Sequence, residues 1–132
     1  MRAHGNRSVI RQLWPLLAVS DIDHSVEFYR DRMGFTIVGR AESGERLFWC
    51  RLERDGGSIM LEQDETARGS RGYRLSFYFV CDDVDDLYRE HTDRGLALEP
   101  PVVAYYGMKH LSVPEPDGHS IHFESPTEGR SG

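Results

Sequence analysis

The stretch that decides the fold is Leu75-Ser76-Phe77-Tyr78-Phe79-Val80-Cys81-Asp82-Asp83-Val84-Asp85. It reads as an apolar strand that runs into a helix opened by aspartates, whose short side chains can accept hydrogen bonds from the free amides of a first helical turn. Downstream, Glu115-Pro116-Asp117-Gly118 is a tight-turn signal feeding a last strand, Ser120-Ile121-His122-Phe123-Glu124. The first half of the chain passes through the same events. Ala18-Val19-Ser20-Asp21-Ile22-Asp23 answers Val80-Cys81-Asp82-Asp83-Val84-Asp85 at an offset of 62, Gly34-Phe35 answers Gly95-Leu96 at 61, and Glu62 answers His122 at 60. A nearly constant offset over three landmarks marks a duplicated module. Two copies can pair their sheets around a shared cavity, where function is to be sought.

Working outward, the first module spans residues 12–63, the linker 64–72 and the second module 73–125. Residues 1–11 and 126–132 read as flexible ends without apolar anchors. A strand is predicted over Leu13 to Val19, then a helix capped by Ser20 or Asp21, with Ile22, Val26, Tyr29 and Met33 as its buried stripe and Gly34 as its C-terminal cap. Three strands follow, Phe35–Arg40, Leu47–Leu52 and Ser58–Gln63, turning at Glu42-Ser43-Gly44-Glu45 and Asp55-Gly56-Gly57. In the second module Val84, Leu87, Tyr88 and His91 share a helix face that Gly95 closes, and Pro100-Pro101 holds the next segment extended. Tyr105-Tyr106-Gly107 with Met108 to Val113 reads as the penultimate strand, Gly107 marking a bulge or a close approach. The fold class is therefore α+β: two βαβββ modules whose curved half-barrel sheets surround a cavity, helices on the outside.

At 132 residues the chain makes one compact domain or two half-size modules with one core. A hydrophobic content of 39% suffices for that core, and a net charge of −6 without a Lys/Arg run argues against nucleic acid. Cys50 and Cys81 fall inside predicted strands and read as buried free thiols. The apolar run Leu13 to Val19 is too short for a secretion signal and is interrupted by Pro15, and nothing approaches a membrane span, so the expected compartment is the cytoplasm. Nucleophile-elbow, phosphate-loop and paired-Cys signatures are absent, and the Asp82-Asp83 and Asp85-Asp86 cluster reads as a solvated helix start.

The stretches Trp14-Pro-Leu-Leu-Ala-Val-Ser-Asp-Ile-Asp-His-Ser-Val-Glu-Phe-Tyr-Arg-Asp-Arg-Met-Gly-Phe35, Phe79 to Leu87 and Glu115-Pro-Asp-Gly-His-Ser-Ile-His-Phe123 resemble the vicinal oxygen chelate superfamily. That superfamily includes glyoxalase I, extradiol dioxygenases and the bleomycin resistance proteins, and the resemblance covers about residues 13–125. It implies metal ligands on the first and last strands of each module, here Trp14, Glu62, Ser76 and His122. Glu62 and His122 can donate to a metal. An indole nitrogen only donates hydrogen bonds, and a serine is a poor ligand, so the set falls short of the three that a catalytic ion normally keeps. No motif places His110, His119 or Tyr105 as the missing ligand.

The resemblance lies nearest the bleomycin-resistance members. It implies a metal-free homodimer that sequesters an aromatic or cationic, antibiotic-like ligand in a cavity at the dimer, with no cofactor and no nucleic-acid or membrane partner. The expected ligand-binding residues are Trp14, Trp49, Glu62, Ser76, Tyr78, Tyr105, Tyr106, His110 and His122, with Phe48 competing with Trp49 for the inward parity. The alternative is a divalent-metal lyase or dioxygenase using Glu62 and His122. A third reading is metal-free acid–base catalysis by that pair.

Overall fold

The computed structural model describes residues 8–66, 75–104 and 106–127. Most of the expected linker, most of the two ends, and Tyr105 lie outside the described residues. The first module runs β1 (Leu16–Val19), α1 (Ile22–Val26, continued by a π-helical turn over Glu27–Arg32), β2 (Thr36–Ser43), β3 (Arg46–Arg54) and β4 (Gly57–Gln63). The second runs β5 (Ser76–Val80), α2 (Val84–Asp93), β6 (Val102–Val103), β7 (Met108–Pro114) and β8 (Ser120–Pro126). Each module forms a four-stranded mixed sheet, ordered β1-β4-β3-β2 and β5-β8-β7-β6, with β1–β4 and β5–β8 parallel and the rest antiparallel. The α+β duplication expected from the sequence is the observed architecture.

Local chemistry explains the elements. Asp21 and Asp83 are the helix N-caps, accepting from the amides of His24 and Asp85. Ile22, Val26, Tyr29 and Met33 are all buried, as are Val84 and His91 of the second helix, with Leu87 and Tyr88 packed against the core. Gly34 and Gly95 follow the helices at φ of +80° and +101°, a conformation in which a Cβ would be strained. Two-residue hairpins, Gly44-Glu45 and Asp55-Gly56, turn β2 into β3 and β3 into β4.

Two expectations are corrected. The first strand starts at Leu16 rather than Leu13, because Pro15 has no amide to give the ladder; its carbonyl accepts from Met60 N (2.8 Å), and Leu13 lies exposed. Tyr106 and Gly107 belong to the β6–β7 turn, not to a strand, since Gly107 N bonds back to Ala104 O (3.0 Å) at a φ of +87°. The register also refines the repeat. Pro15 O and Leu75 O receive the equivalent bonds from Met60 and Ser120, so the strands repeat at an offset of 60 while the helix caps repeat at 62. Of the two additional residues, one lengthens β5 to Val80 and one lies between β5 and α2.

One face of each sheet packs under its own helix, and the modules join on that helical side. The Glu115–Gly118 turn docks on α1: Tyr29 OH donates to Glu115 Oε2 (3.0 Å) and Ser20 Oγ to Asp117 Oδ1 (3.0 Å). The β3–β4 end docks on α2 through Arg54, which pairs with both oxygens of Glu90 (2.9 and 3.0 Å). Arg32 and Arg94, equivalent at the offset of 62, each donate to a carbonyl at the other helix's C-terminus, where a cation suits the helix dipole. Phe35, Phe79 and Phe123 continue the core across the junction, at centroid distances of 5.9 and 5.2 Å. A side chain at Gly57 would come within 2.9 Å of the Phe79 ring. The opposite face of each sheet is left open.

Candidate functional site

The open face of the first sheet follows from strand alternation. Leu16 and Ala18 lie beside Met60 and Glu62, and Trp49 and Arg51 lie opposite Glu62 and Met60. In β3 Trp49 faces the open side, and its ring rests on Gly39, 3.5 Å from where a Cβ would stand. Phe48 is the unpaired residue at a register shift between β2 and β3 and is itself exposed, so alternation does not set it against Trp49. Trp14, two residues ahead of β1, reaches this face too, but its ring already carries the Arg51 guanidinium at 3.9 Å. Arg51 is in turn fixed by Ser58 Oγ (2.8 Å). Glu62 is exposed, and among the described residues it has no hydrogen-bond or ion-pair partner.

The second sheet presents a connected polar network. Its register sets Tyr78 beside His122, Ser112 opposite His122, and His110 opposite Glu124, all on one face. Glu124 Oε2 accepts from the Tyr106 hydroxyl and lies 3.0 Å from His110 Nδ1. His110 Nε2 is 3.1 Å from Ser112 Oγ, which is 3.2 Å from His122 Nδ1. Tyr78 stacks on His122 with centroids 4.6 Å apart, and more than half of Tyr78 is exposed. The Tyr106 hydroxyl, then His110, hold the Glu124 carboxyl below its usual range. Burial, then the neighbouring His110, pushes His122 below its ordinary range, against the opposing pull of Glu124. Ser76 completes this face at its exposed end.

Sequence reasoning thus named most of the side chains on the two faces but missed Arg51, Ser112 and Glu124. Ser112 and Glu124 lie two residues from His110 and His122 in the same strands, so the alternation that placed the histidines could have found them. Glu62 and His122, expected as a pair, lie on different open faces, and among the described residues no hydrogen bond or ion pair links them. His119 is structural: it is buried, and its Nδ1 accepts from Leu75 N (3.1 Å). Cys50 is a buried free thiol pushed up to about 11 by its burial, and Cys81 is free and half-buried.

These residues do not fit a resident divalent ion. The register makes Leu16, not Trp14, the counterpart of Ser76, so the four ligand positions read Leu16, Glu62, Ser76 and His122. Leucine supplies no donor and serine a weak one, which leaves two strong donors among these four positions, one in each module and short of three. Among the described residues no group of three His, Cys, Asp or Glu side chains could hold a metal.

Two βαβββ modules joined on their helical sides, each leaving an open sheet face, define a vicinal-oxygen-chelate fold. The chain belongs to the Glyoxalase/Bleomycin resistance protein/Dioxygenase superfamily, whose model matches residues 11–123. Among solved structures it is similar to a bleomycin resistance determinant encoded on the transposon Tn5, with a TM-score of 0.75 and 21% identity over 89% of this chain and 99% of that one. It is likewise similar to TioX from Micromonospora sp. ML1 (TM-score 0.73, 21% identity, 88% and 98% covered). A bleomycin-binding protein complexed with bleomycin superposes at a TM-score of 0.72, with 21% identity over 88% and 98%. No curated protein sequence matches the chain. Among the described residues no helix is long and apolar enough to cross a membrane.

Proposed function

We propose that this protein binds and sequesters a small aromatic or cationic molecule, in the manner of the bleomycin-binding relatives, inside a groove completed by two copies of the chain. One observation carries the reading. The modules of a chain use their helical sides to hold each other, so two open sheet faces remain, and both carry aromatic and acidic side chains. On the first these are Trp14, Trp49 and Glu62; on the second they are Tyr78, His122 and Glu124. Apolar side chains are also exposed there, with Leu16 45% and Val80 74% accessible. A two-fold copy laying its second face over the first face would cover this surface twice and enclose two equivalent grooves. The relatives named for bleomycin make an antibiotic of that kind the first ligand to try, and resistance by sequestration the corresponding role.

The chemistry of the faces shapes the ligand. Because Arg51 occupies one side of Trp14, that ring offers its other side for stacking, and a cationic group is better served by Glu62 and the exposed ring of Tyr78. Titration of tryptophan fluorescence with bleomycin and a panel of flat aromatic cations tests the reading. Saturable binding is expected, weakened by Glu62→Gln for cationic ligands and by Trp14→Ala or Tyr78→Ala for all. A lost ring contact of about 0.5–2 kcal/mol lowers affinity roughly 2- to 30-fold. Affinity untouched by all three substitutions would defeat the proposal.

A further inference from the structure

The network on the second sheet has a feature that ligand binding alone does not require. We propose that Glu124, His110 and Ser112 form a nucleophilic triad, with Ser112 Oγ as the attacking atom in acyl transfer from small, activated esters. This inference stands apart from the sequestration reading.

Atom order carries it. The carboxylate meets Nδ1 of His110 at 3.0 Å, and the opposite ring nitrogen, Nε2, meets Ser112 Oγ at 3.1 Å. An ionised carboxylate accepts only, so Nδ1 of His110 bears the proton and Nε2 presents its lone pair to the serine. Ser112 must then donate to His110, and the His122 Nδ1 at 3.2 Å acts as an N–H donor to the same Oγ. Every proton in the chain from His122 to Glu124 is thereby assigned without conflict. The accessibilities run in the same direction: side-chain exposure is 10% for Glu124 and 19% for His110, while Ser112 is exposed on the open face. The orienting acid lies beneath and the nucleophile on top. The Tyr106 hydroxyl anchors the carboxylate from its far side, and Tyr78 stacked on His122 gives an aromatic acyl or leaving group a surface beside the serine.

The step balances with water as the only co-reactant. Ser112 Oγ bonds to the ester carbonyl carbon as its proton passes to His110 Nε2, and the carbonyl π electrons move onto the carbonyl oxygen to give the tetrahedral adduct. The carbon–oxygen bond to the leaving group then breaks, and the alcohol departs with the proton from His110. Water, deprotonated by His110, attacks the acyl-serine, releasing the carboxylic acid and restoring Ser112.

The test is treatment of the unmodified protein with a fluorophosphonate ester, which phosphonylates an activated serine as fluoride leaves, followed by peptide mass mapping. A single adduct on Ser112 is expected in the wild-type protein. Its formation should fall about 100-fold or more in His110→Gln, the usual contribution of a general base. Hydrolysis of p-nitrophenyl acetate should fall alongside it and vanish in Ser112→Ala. The mapping is made on the unmodified protein and needs no variant to fold. No adduct on Ser112, or one formed as fast in His110→Gln, overturns the proposal.

Discussion

Replacing Tyr29 by Phe removes one oxygen atom from the junction between the modules and nothing else of consequence. The ring is fully buried, edge-on to Phe28 (5.0 Å) and Phe35 (6.1 Å), and phenylalanine keeps both contacts. Its hydroxyl is lost as a donor to the buried Glu115, whose other oxygen still accepts from the amides of Asp117 (2.8 Å) and His119 (3.1 Å). A hydrogen bond to a charged group contributes roughly 1.5–3 kcal/mol, and because the amides remain we expect a loss of about 2 kcal/mol. For a chain of this size that corresponds to a fall in Tm of about 6–10 °C. Burial raises Glu115 above its ordinary 4.5, so the ionised carboxylate costs stability in the fold; the strain is absent below 4.5 and develops as pH rises through the raised value. Without the Tyr29 donor that cost grows. The gap between variant and wild type, measured by urea unfolding, should therefore be full at pH 8 and narrow at pH 4. A gap that is absent, or wider in acid, would refute the argument.

Two further outcomes follow from buried and strained positions. His91 is fully buried beside Phe123, both ring nitrogens lack hydrogen-bond partners among the described residues, and burial lowers it from 6.5 to about 4. Its contribution to stability is intact above pH 6.5 and lost as pH falls toward 4, so His91→Leu should flatten that loss in acid unfolding curves and add about 1 kcal/mol at pH 7. Gly95→Ala should cost about 1–2 kcal/mol in urea unfolding, because φ is +101° and the new Cβ would press on the Arg32 guanidinium.

The elements were legible because their signals are local. Asp21 and Asp83 announce helix starts, Gly34 and Gly95 helix ends, and the strand alternation places Tyr78 and His122 on one face. The joining of the modules was not legible. It rests on polar contacts such as Tyr29 with Glu115 and Ser20 with Asp117, which lie 86 and 97 residues apart and leave no pattern in either stretch. The same distance effect hid Arg51 on Trp14, since a prediction of parity says which face a ring takes and not what lies on it. Pro15 and Gly107 misled for the opposite reason: each was read within a strand that its backbone chemistry interrupts.

The central claim is that each groove combines the first face of one chain with the second face of another, and complementation tests it most directly. One variant carries Trp49→Ala and Glu62→Gln, the other Tyr78→Ala and His122→Ala, and ligand bound is counted by equilibrium dialysis. Each alone has two damaged grooves and should bind poorly. After equal mixing and subunit exchange, half the dimers are mixed and each has one undamaged groove, so about a quarter of all grooves should recover wild-type affinity. No recovery after exchange has been verified by native mass spectrometry would contradict the account and place the binding site within a single chain.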